Sequence, residues 1–235
     1  MVSNGKLYKA DLHIHSCLSP CGDISMLPSV ICEKQLDVIS ITDHNSARNV
    51  AVFISLCKDK IVVPGIEIHT VEDVHILGYF PELEHCLKVS KIVEENLPKF
   101  PYDPEKFGYQ IVINENEEFV NTIDEYLGFP TNLTIEDAIE IILSNHGLPV
   151  FAHVDRKFGA IYQLGLLPEG TNVVEVKKRE TYEELKKNGY IALTSSDAHL
   201  PDEVGVRKIF MEDKPKNSQE VIDMILERRF KTIWD

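Results

Sequence analysis

The stretch YKADLHIHSCLSPCGD, Tyr8 to Asp23, decides how the rest of the chain is read. Its first half alternates apolar and polar residues, as a strand does, and ends in His13-Ile14-His15. Its second half is a turn-rich run of Ser, Pro, Cys and Gly that closes on Asp23. Side chains two apart on a strand point the same way, so His13 and His15 can converge on one point. Paired imidazoles of that kind suit zinc, manganese, iron or nickel.

Outward from this stretch, short β-branched runs alternate with helical patterns. The strand candidates are 7–15, 37–44, 61–69, 73–80, 109–114, 148–155, 171–177 and 190–199, with 206–211 as a further one. Helical patterns cover 28–36, 47–59, 134–147, 181–189 and 218–230; the fourth-from-last strand is preceded by the best-punctuated of them, with Thr134 as N-cap and Gly147 past its end. This alternation predicts a parallel sheet closed into a barrel. Residues 81–132 break the rhythm. They are rich in acids and prolines with a helical piece at about 84–97, and read as an insertion over one end of a single domain spanning 1–235.

The chain has 235 residues, 43% of them hydrophobic, and no apolar run long enough for a membrane span. The amino terminus lacks the apolar core of a signal peptide, which favours the cytoplasm. Five cysteines at 17, 21, 32, 57 and 86, with no C-x-x-C pair, argue against a disulfide framework and a zinc ribbon. Lys plus Arg is 24 and Asp plus Glu is 38, a net charge of −14. So acidic a chain is expected to have no broad nucleic-acid-binding surface and no membrane partner. Bound divalent cations would still make one cleft locally positive.

Nearly every strand candidate ends in, or contains, a metal-capable residue: His13 and His15, Asp43 and His44, Glu67 and His69, His75, His153 and Asp155, Asp197 and His199. In a parallel barrel the C-terminal strand ends share one face, where catalytic groups gather. Clustering on separate strands is what a metal site needs and what scattered histidines do not show.

In order, the motifs DLHIHS, ITDHN, GIEI with the following VHILGY, FAHVDR and SSDAH resemble those of the PHP family, the polymerase and histidinol phosphatase domains. The likeness is to its small stand-alone metal-dependent phosphoesterases, over about residues 7 to 210. It implies an α/β fold, a distorted (β/α)7 barrel, with two or three divalent ions (Mn, Zn or Fe) on its C-terminal face. By the same resemblance His13, His15, Glu67 and Asp197 hold one metal, and Glu67 is shared with a second that also takes His75 and His153. His44 and His199 hold the third with a residue of the loop after the first motif. Cys21 and Asp23 are the candidates there. Asp23 is favoured, because a carboxylate suits a hard, labile site better than a thiolate.

Asp43 is expected to orient a ligand, His69 to line the rim on the face of Glu67, and Arg156 to grip a phosphate bidentately, with Lys177 as a weaker partner. Glu67, Asp197, Asp43 and Arg156 make the expected catalytic group. Metals about 3.5–4 Å apart can activate a bridging water for in-line attack on phosphorus. Asp43, His199 or a metal-bound water could protonate the leaving group. The expected substrate is a small phosphorylated metabolite, a nucleotide or a short oligonucleotide. Two other readings remain: an amidohydrolase-type enzyme acting on C–N or C–O bonds, and a non-catalytic scaffold module.

Overall fold

A computed structural model describes residues 6–235. The amino-terminal half contains β1 (Tyr8–Ile14), α1 (Pro28–Ile31), β2 (Val38–Ile41), α2 (Val50–Leu56), β3 (Ile61–His69), β4 (His75–Tyr79) and α3 (Leu83–Glu95). Next come α4 (Pro104–Phe107), β5 (Ile111–Ile113), β6 (Phe119–Thr122), α5 (Ile135–Ser144), β7 (Leu148–Phe151) and α6 (Ala160–Leu164). The remainder is β8 (Val173–Glu175), α7 (Arg179–Lys187), β9 (Ile191–Leu193), β10 (Ile209–Met211), α8 (Ser218–Leu226) and β11 (Phe230–Lys231).

Nine strands form one sheet in the order β11-β10-β1-β2-β3-β4-β7-β8-β9, and β5 pairs only with β6. The sheet curls on itself: the chain beyond β9 returns to the end of β1 through a parallel bridge between Ile14 and Ala198. His15 N–H donates to Ala198 O (2.9 Å) and Asp197 N–H to His13 O (2.8 Å). Inside the curl, Leu12, Val38, Val63, Leu77, Val150 and Leu193 meet Val221 and Ile225 of α8. Outside it, Ile39, Ile66, Ile76, Phe151 and Val174 pack against the helices.

Besides the antiparallel β10 and β11 at the edge of β1, two features differ from the expected parallel barrel. First, β4 runs antiparallel to both β3 and β7, since five residues between His69 and His75 suffice only for a hairpin. Second, β1 carries a bulge: Asp11 and Ile14 lie opposite Ile39 and Ile41, so three steps on β1 match two on β2. Leu12 faces the inner core and Ile14 the outer one, yet His13 joins the inner side, where its ring meets Glu67 and Asp197. Bulges beside active sites re-aim side chains in this way. The sheet is therefore mixed, and the regular β/α repeat is broken at the β3–β4 hairpin.

Helix α5 ends as its sequence dictates at one terminus only. A capping box joins Thr134 and Asp137, and Ile135, Ala138, Ile139 and Ile142 form the buried stripe. At the other end the left-handed residue is His146 (φ 60°) rather than Gly147. Gly147 is small because Phe80 and Ile142 press against it.

The insertion begins later than the composition indicates. Helix α3 belongs to the outer core through Cys86, Val89 and Val93. The excursion that follows sits on the loop after β1: Ile111 N–H donates to Cys17 O (3.0 Å), and Leu18 packs with Leu97, Ile123 and Leu127. At Gly108 (φ 96°) a side chain would collide with the Pro20 carbonyl, so only glycine allows this approach. The cysteine reading also needs correction. Cys32 and Cys57, at the carboxyl ends of α1 and α2, form a disulfide with Cα atoms 5.2 Å apart. Their 25-residue spacing matches no motif, so packing of α1 against α2 had to reveal it.

Thr134→Ala should cost about 1 kcal/mol, read as a lower urea midpoint with an unchanged slope. An unchanged midpoint would show that the α5 cap adds nothing to the fold.

Candidate metal centre

The inward turn of the strand ends brings seven histidines and two carboxylates to one place. The chain beyond β2 stays paired with β3, since His44 and Glu67 form a parallel bridge. Glu67 N–H donates to Asp43 O (3.1 Å) and Asn45 N–H to Glu67 O (2.8 Å). The β3–β4 hairpin sets His75 opposite His69, at the same end as Glu67 although its strand runs the other way. His153 (φ 27°) and Asp197 (φ 59°) hold left-handed backbone conformations that only well-packed surroundings sustain.

Glu67 is fully buried and central. Its Oε1 lies 2.9 Å from His75 Nδ1, 3.1 Å from His153 Nε2 and 3.3 Å from His13 Nε2. Its Oε2 lies 2.9 Å from His44 Nδ1 and 3.4 Å from His15 Nε2. Asp197 Oδ1 is 3.2 Å from Nε2 of both His13 and His15.

The partners around these rings fix which nitrogens are bare. His13 Nδ1 donates to Glu175 Oε2 (2.7 Å). His15 Nδ1 donates to Ser19 Oγ (2.9 Å), whose own proton goes to Asp43 Oδ1 (2.7 Å). His199 Nδ1 donates to the Asp197 carbonyl (2.9 Å). All three then present an unprotonated Nε2, and those of His13 and His15 stand 3.2 Å apart with carboxylate oxygens on both sides. Lone pairs so arranged repel one another unless a cation sits among them, which is the test that the donor set passes.

The titration behaviour reports the same demand. Burial alone would depress the His13 imidazole, but Asp197, Glu175 and Glu67 outweigh it and raise it to about 10, so without an ion a proton takes the place on Nε2 that a cation would fill. Burial pushes His75 down to about 3, so it stays neutral. Burial would raise the Glu67 carboxyl, yet His75, His13 and His44 hold it well below the usual range. Three groups have ligand atoms within 4.8 Å of one another: His13, His15, Glu67 and Asp197; His44, Glu67 and His75; and His15, His44 and His199.

Around this centre the remaining expected residues divide. A cavity of about 740 Å3 opens beside Asp197 and His199, lined also by Cys21, Arg156, Lys177 and Arg207. Arg156 Nη2 pairs with Asp197 Oδ2 (2.8 Å), and Lys177 Nζ with Glu175 Oε1 (2.5 Å). Asp43 does not face this cavity. It is fully buried and accepts from Ser16 N–H, Ser16 Oγ and Ser19 Oγ (2.6–2.7 Å), so it supports His15 through Ser19 and cannot reach a leaving group.

His69 is buried rather than on the rim, bonded to Asp73 (3.1 Å), with its ring 4.5 Å from that of His75. Asp155 accepts from the N–H groups of Lys177 and Lys178, a structural task. Asp23 also departs from expectation: its carboxylate accepts from Ser25 N–H and Oγ at the surface. Cys21, rather than Asp23, is the loop residue that lines the cavity with Asp197 and His199. Glu175 was not anticipated, although a glutamate inside the apolar run of TNVVEVK was a visible signal.

No family model matches the sequence, and no curated protein matches it. Solved structures do share its fold. A lesion-specific endonuclease from Pyrococcus furiosus, PfuEndoQ, superposes with a TM-score of 0.74 at 18% identity over 97% of this chain. A two-domain protein from Bacteroides vulgatus containing a predicted PHP-like metal-dependent phosphoesterase gives 0.59 at 15% identity over 99%. The fold is that of the PHP-like phosphoesterases. An amidohydrolase from Chromobacterium violaceum shares this PHP-like fold, with a TM-score of 0.58 at 17% identity over 95% of this chain and 97% of its own. This chain spans 58% of the endonuclease and 66% of the two-domain protein.

The expectation of no broad nucleic-acid-binding surface is overturned. Endonuclease Q, with this fold over 94% of the chain at a TM-score of 0.62, is seen with a 27-mer duplex carrying an abasic lesion at its active site. Net charge sums the whole surface and does not fix the field within one cleft. No helix among the described residues is long and apolar enough to cross a membrane.

Glu175→Ala leaves the converging nitrogens and oxygens in place and removes what orients His13, together with the ion-pair partner of Lys177. Zinc or manganese affinity should fall roughly 10- to 100-fold, measured by calorimetric titration. Unchanged affinity would remove Glu175 from the centre.

Proposed function

We propose that the chain is a metal-dependent phosphoesterase that hydrolyses a phosphomonoester or phosphodiester, with nucleotides and oligonucleotides among its substrates. The observation that carries this reading is the buried Glu67 carboxylate, shared by five imidazoles beside a cavity whose other wall holds Arg156 and Lys177. His13, His15, Glu67 and Asp197 would hold one divalent ion, and Glu67, His75 and His153 a second, with His44 and His199 serving a third. Ions bound there supply an activated water and positive charge toward the phosphoryl oxygens.

The chain's own groups do the rest. Arg156 is half-exposed, and its guanidinium has no partner besides Asp197 among the described residues, so most of its donors are free for a phosphoryl oxygen. Lys177 is held by Glu175 and by the Ser195 carbonyl (2.9 Å), which fixes its charge at the cavity wall. Both cations offset charge that grows on phosphorus-bound oxygens in the transition state. Asp43 and Ser19 hold His15 in one tautomer, and Glu175 does so for His13.

The amidohydrolase that shares the fold keeps C–N and C–O hydrolysis as the second reading, and activity on amides or lactones but no phosphoester would favour it. Manganese- or zinc-loaded protein should hydrolyse a generic phosphodiester or phosphomonoester. The substrate panel should include short oligonucleotides and a duplex with an abasic site. Glu67→Gln should lose activity together with bound metal, counted by elemental analysis. Arg156→Lys keeps the charge but loses the planar fork. It should retain its metal while kcat/KM falls roughly 10- to 100-fold, the equivalent of about 1.5–3 kcal/mol for a charge-assisted hydrogen bond. Unaltered kcat/KM would make Arg156 a bystander.

A further inference from the structure

The cavity beside Asp197 and His199 has room for more than a phosphoryl group, since about 740 Å3 is a size that takes up a whole small ligand. Resting on the phosphoesterase reading above, we infer that Arg207, with Leu200 and Val206, forms a second subsite of this cavity. It holds the phosphate next along a nucleotide strand, so the preferred substrate carries at least two phosphates. The first support is the pairing of the cations that line the cavity. Arg156 is engaged with Asp197 (2.8 Å) and Lys177 with Glu175 (2.5 Å). Arg207 lines the same space, and its guanidinium has no ion pair or hydrogen bond among the described residues. The acid that could compete for it, Glu203, is occupied: its Oε2 accepts from His199 N–H (2.8 Å) and Leu200 N–H (3.1 Å). The neighbouring cation, Lys208, is turned back onto the Gly205 carbonyl.

The second support is rigidity. Arg207 follows the turn that starts at His199. Within it Glu203 N–H donates to the Leu200 carbonyl (3.0 Å), and Val206 N–H to the Glu203 carbonyl (3.0 Å). Gly205 N–H donates to the buried Asp11 carboxylate (2.7 Å). The backbone that carries Arg207 is thus fixed relative to the metal centre while its donors stay free. The third support is apolar. Leu200 and Val206 line the cavity although they are 48% and 67% exposed. One nucleoside lies between successive phosphates of a strand, and its sugar and base offer the surface that such side chains cover. A phosphate beyond it meets the guanidinium fork through two oxygens. In a chain of net charge −14, an unpaired arginine inside the cavity is what offsets the repulsion of a second phosphate.

The test compares bis(p-nitrophenyl) phosphate and a dinucleotide, each with a single phosphate, with a trinucleotide that has a second. On manganese- or zinc-loaded protein, Arg207→Ala should lower kcat/KM for the trinucleotide roughly 10- to 100-fold more than for either of the others, as loss of a charge-assisted hydrogen bond does. The loss should lie in KM rather than kcat, because a group remote from the reacting atoms holds ground state and transition state alike. Arg207→Lys should recover part of it. The slope of log KM against log salt for the trinucleotide should also fall by about 0.7, the share of one phosphate contact on a single strand. Equal losses on all three substrates, no loss, or cleavage of phosphomonoesters alone overturns the subsite and leaves the phosphoesterase reading standing. Failure of the metal-loaded parent to hydrolyse any phosphoester overturns both.

Discussion

A carboxylate without access to water must be compensated on the spot, and at Glu67 that requirement organises the molecule. Desolvating such a group costs on the order of several kcal/mol. Five imidazoles answer it, brought in by four backbone devices: the bulge in β1 for His13 and His15, the extension of β2 for His44, the β3–β4 hairpin for His75, and a left-handed turn after β7 for His153. Removing any of these devices leaves the carboxylate short of a partner. The local structure around the centre is irregular because that convergence needs it.

A second layer holds the first in place. Asp43 is spent on the Ser16–Ser19 turn, Glu175 on His13 and Lys177, and Asp11 on Ser196 and Gly205 N–H groups. Of these acids Glu175 is offset on the spot by Lys177, so part of the acidic charge behind the net −14 is neutralised within the fold. Arg156, Lys177 and Arg207 line the cavity itself. A chain that is acidic overall can therefore present cations where a phosphate would enter, which is why the charge argument misjudged nucleic acid.

The ligand-bearing strand ends were legible because a period of two and clustered histidines survive translation into three dimensions. Strand direction was not: β4 has the same alternation in either sense, and only the short His69–His75 spacing hinted at a hairpin. The β1 bulge left no mark either, since no glycine or turn residue announces it. For the loop after β1, hard–soft reasoning favoured Asp23 over Cys21, but the D-x-S pattern is itself a local turn signal that engages the carboxylate with Ser25. The Cys32–Cys57 pair needed the packing of α1 on α2 before it could be seen.

The pairing of the chain beyond β9 with the end of β1 has one more consequence. Glu67 and His75 are 8 residues apart, whereas His15 and Asp197 are 182 apart. By loop-closure scaling, (3/2)RT ln(182/8), the distant contact costs about 3 kcal/mol more entropy to form. The hairpin half of the centre can assemble from local chain alone, while the other half exists only once both ends of the protein have met. An ion touching both halves thus acts as a clasp over nearly the whole polypeptide, and a complete centre certifies that folding has finished.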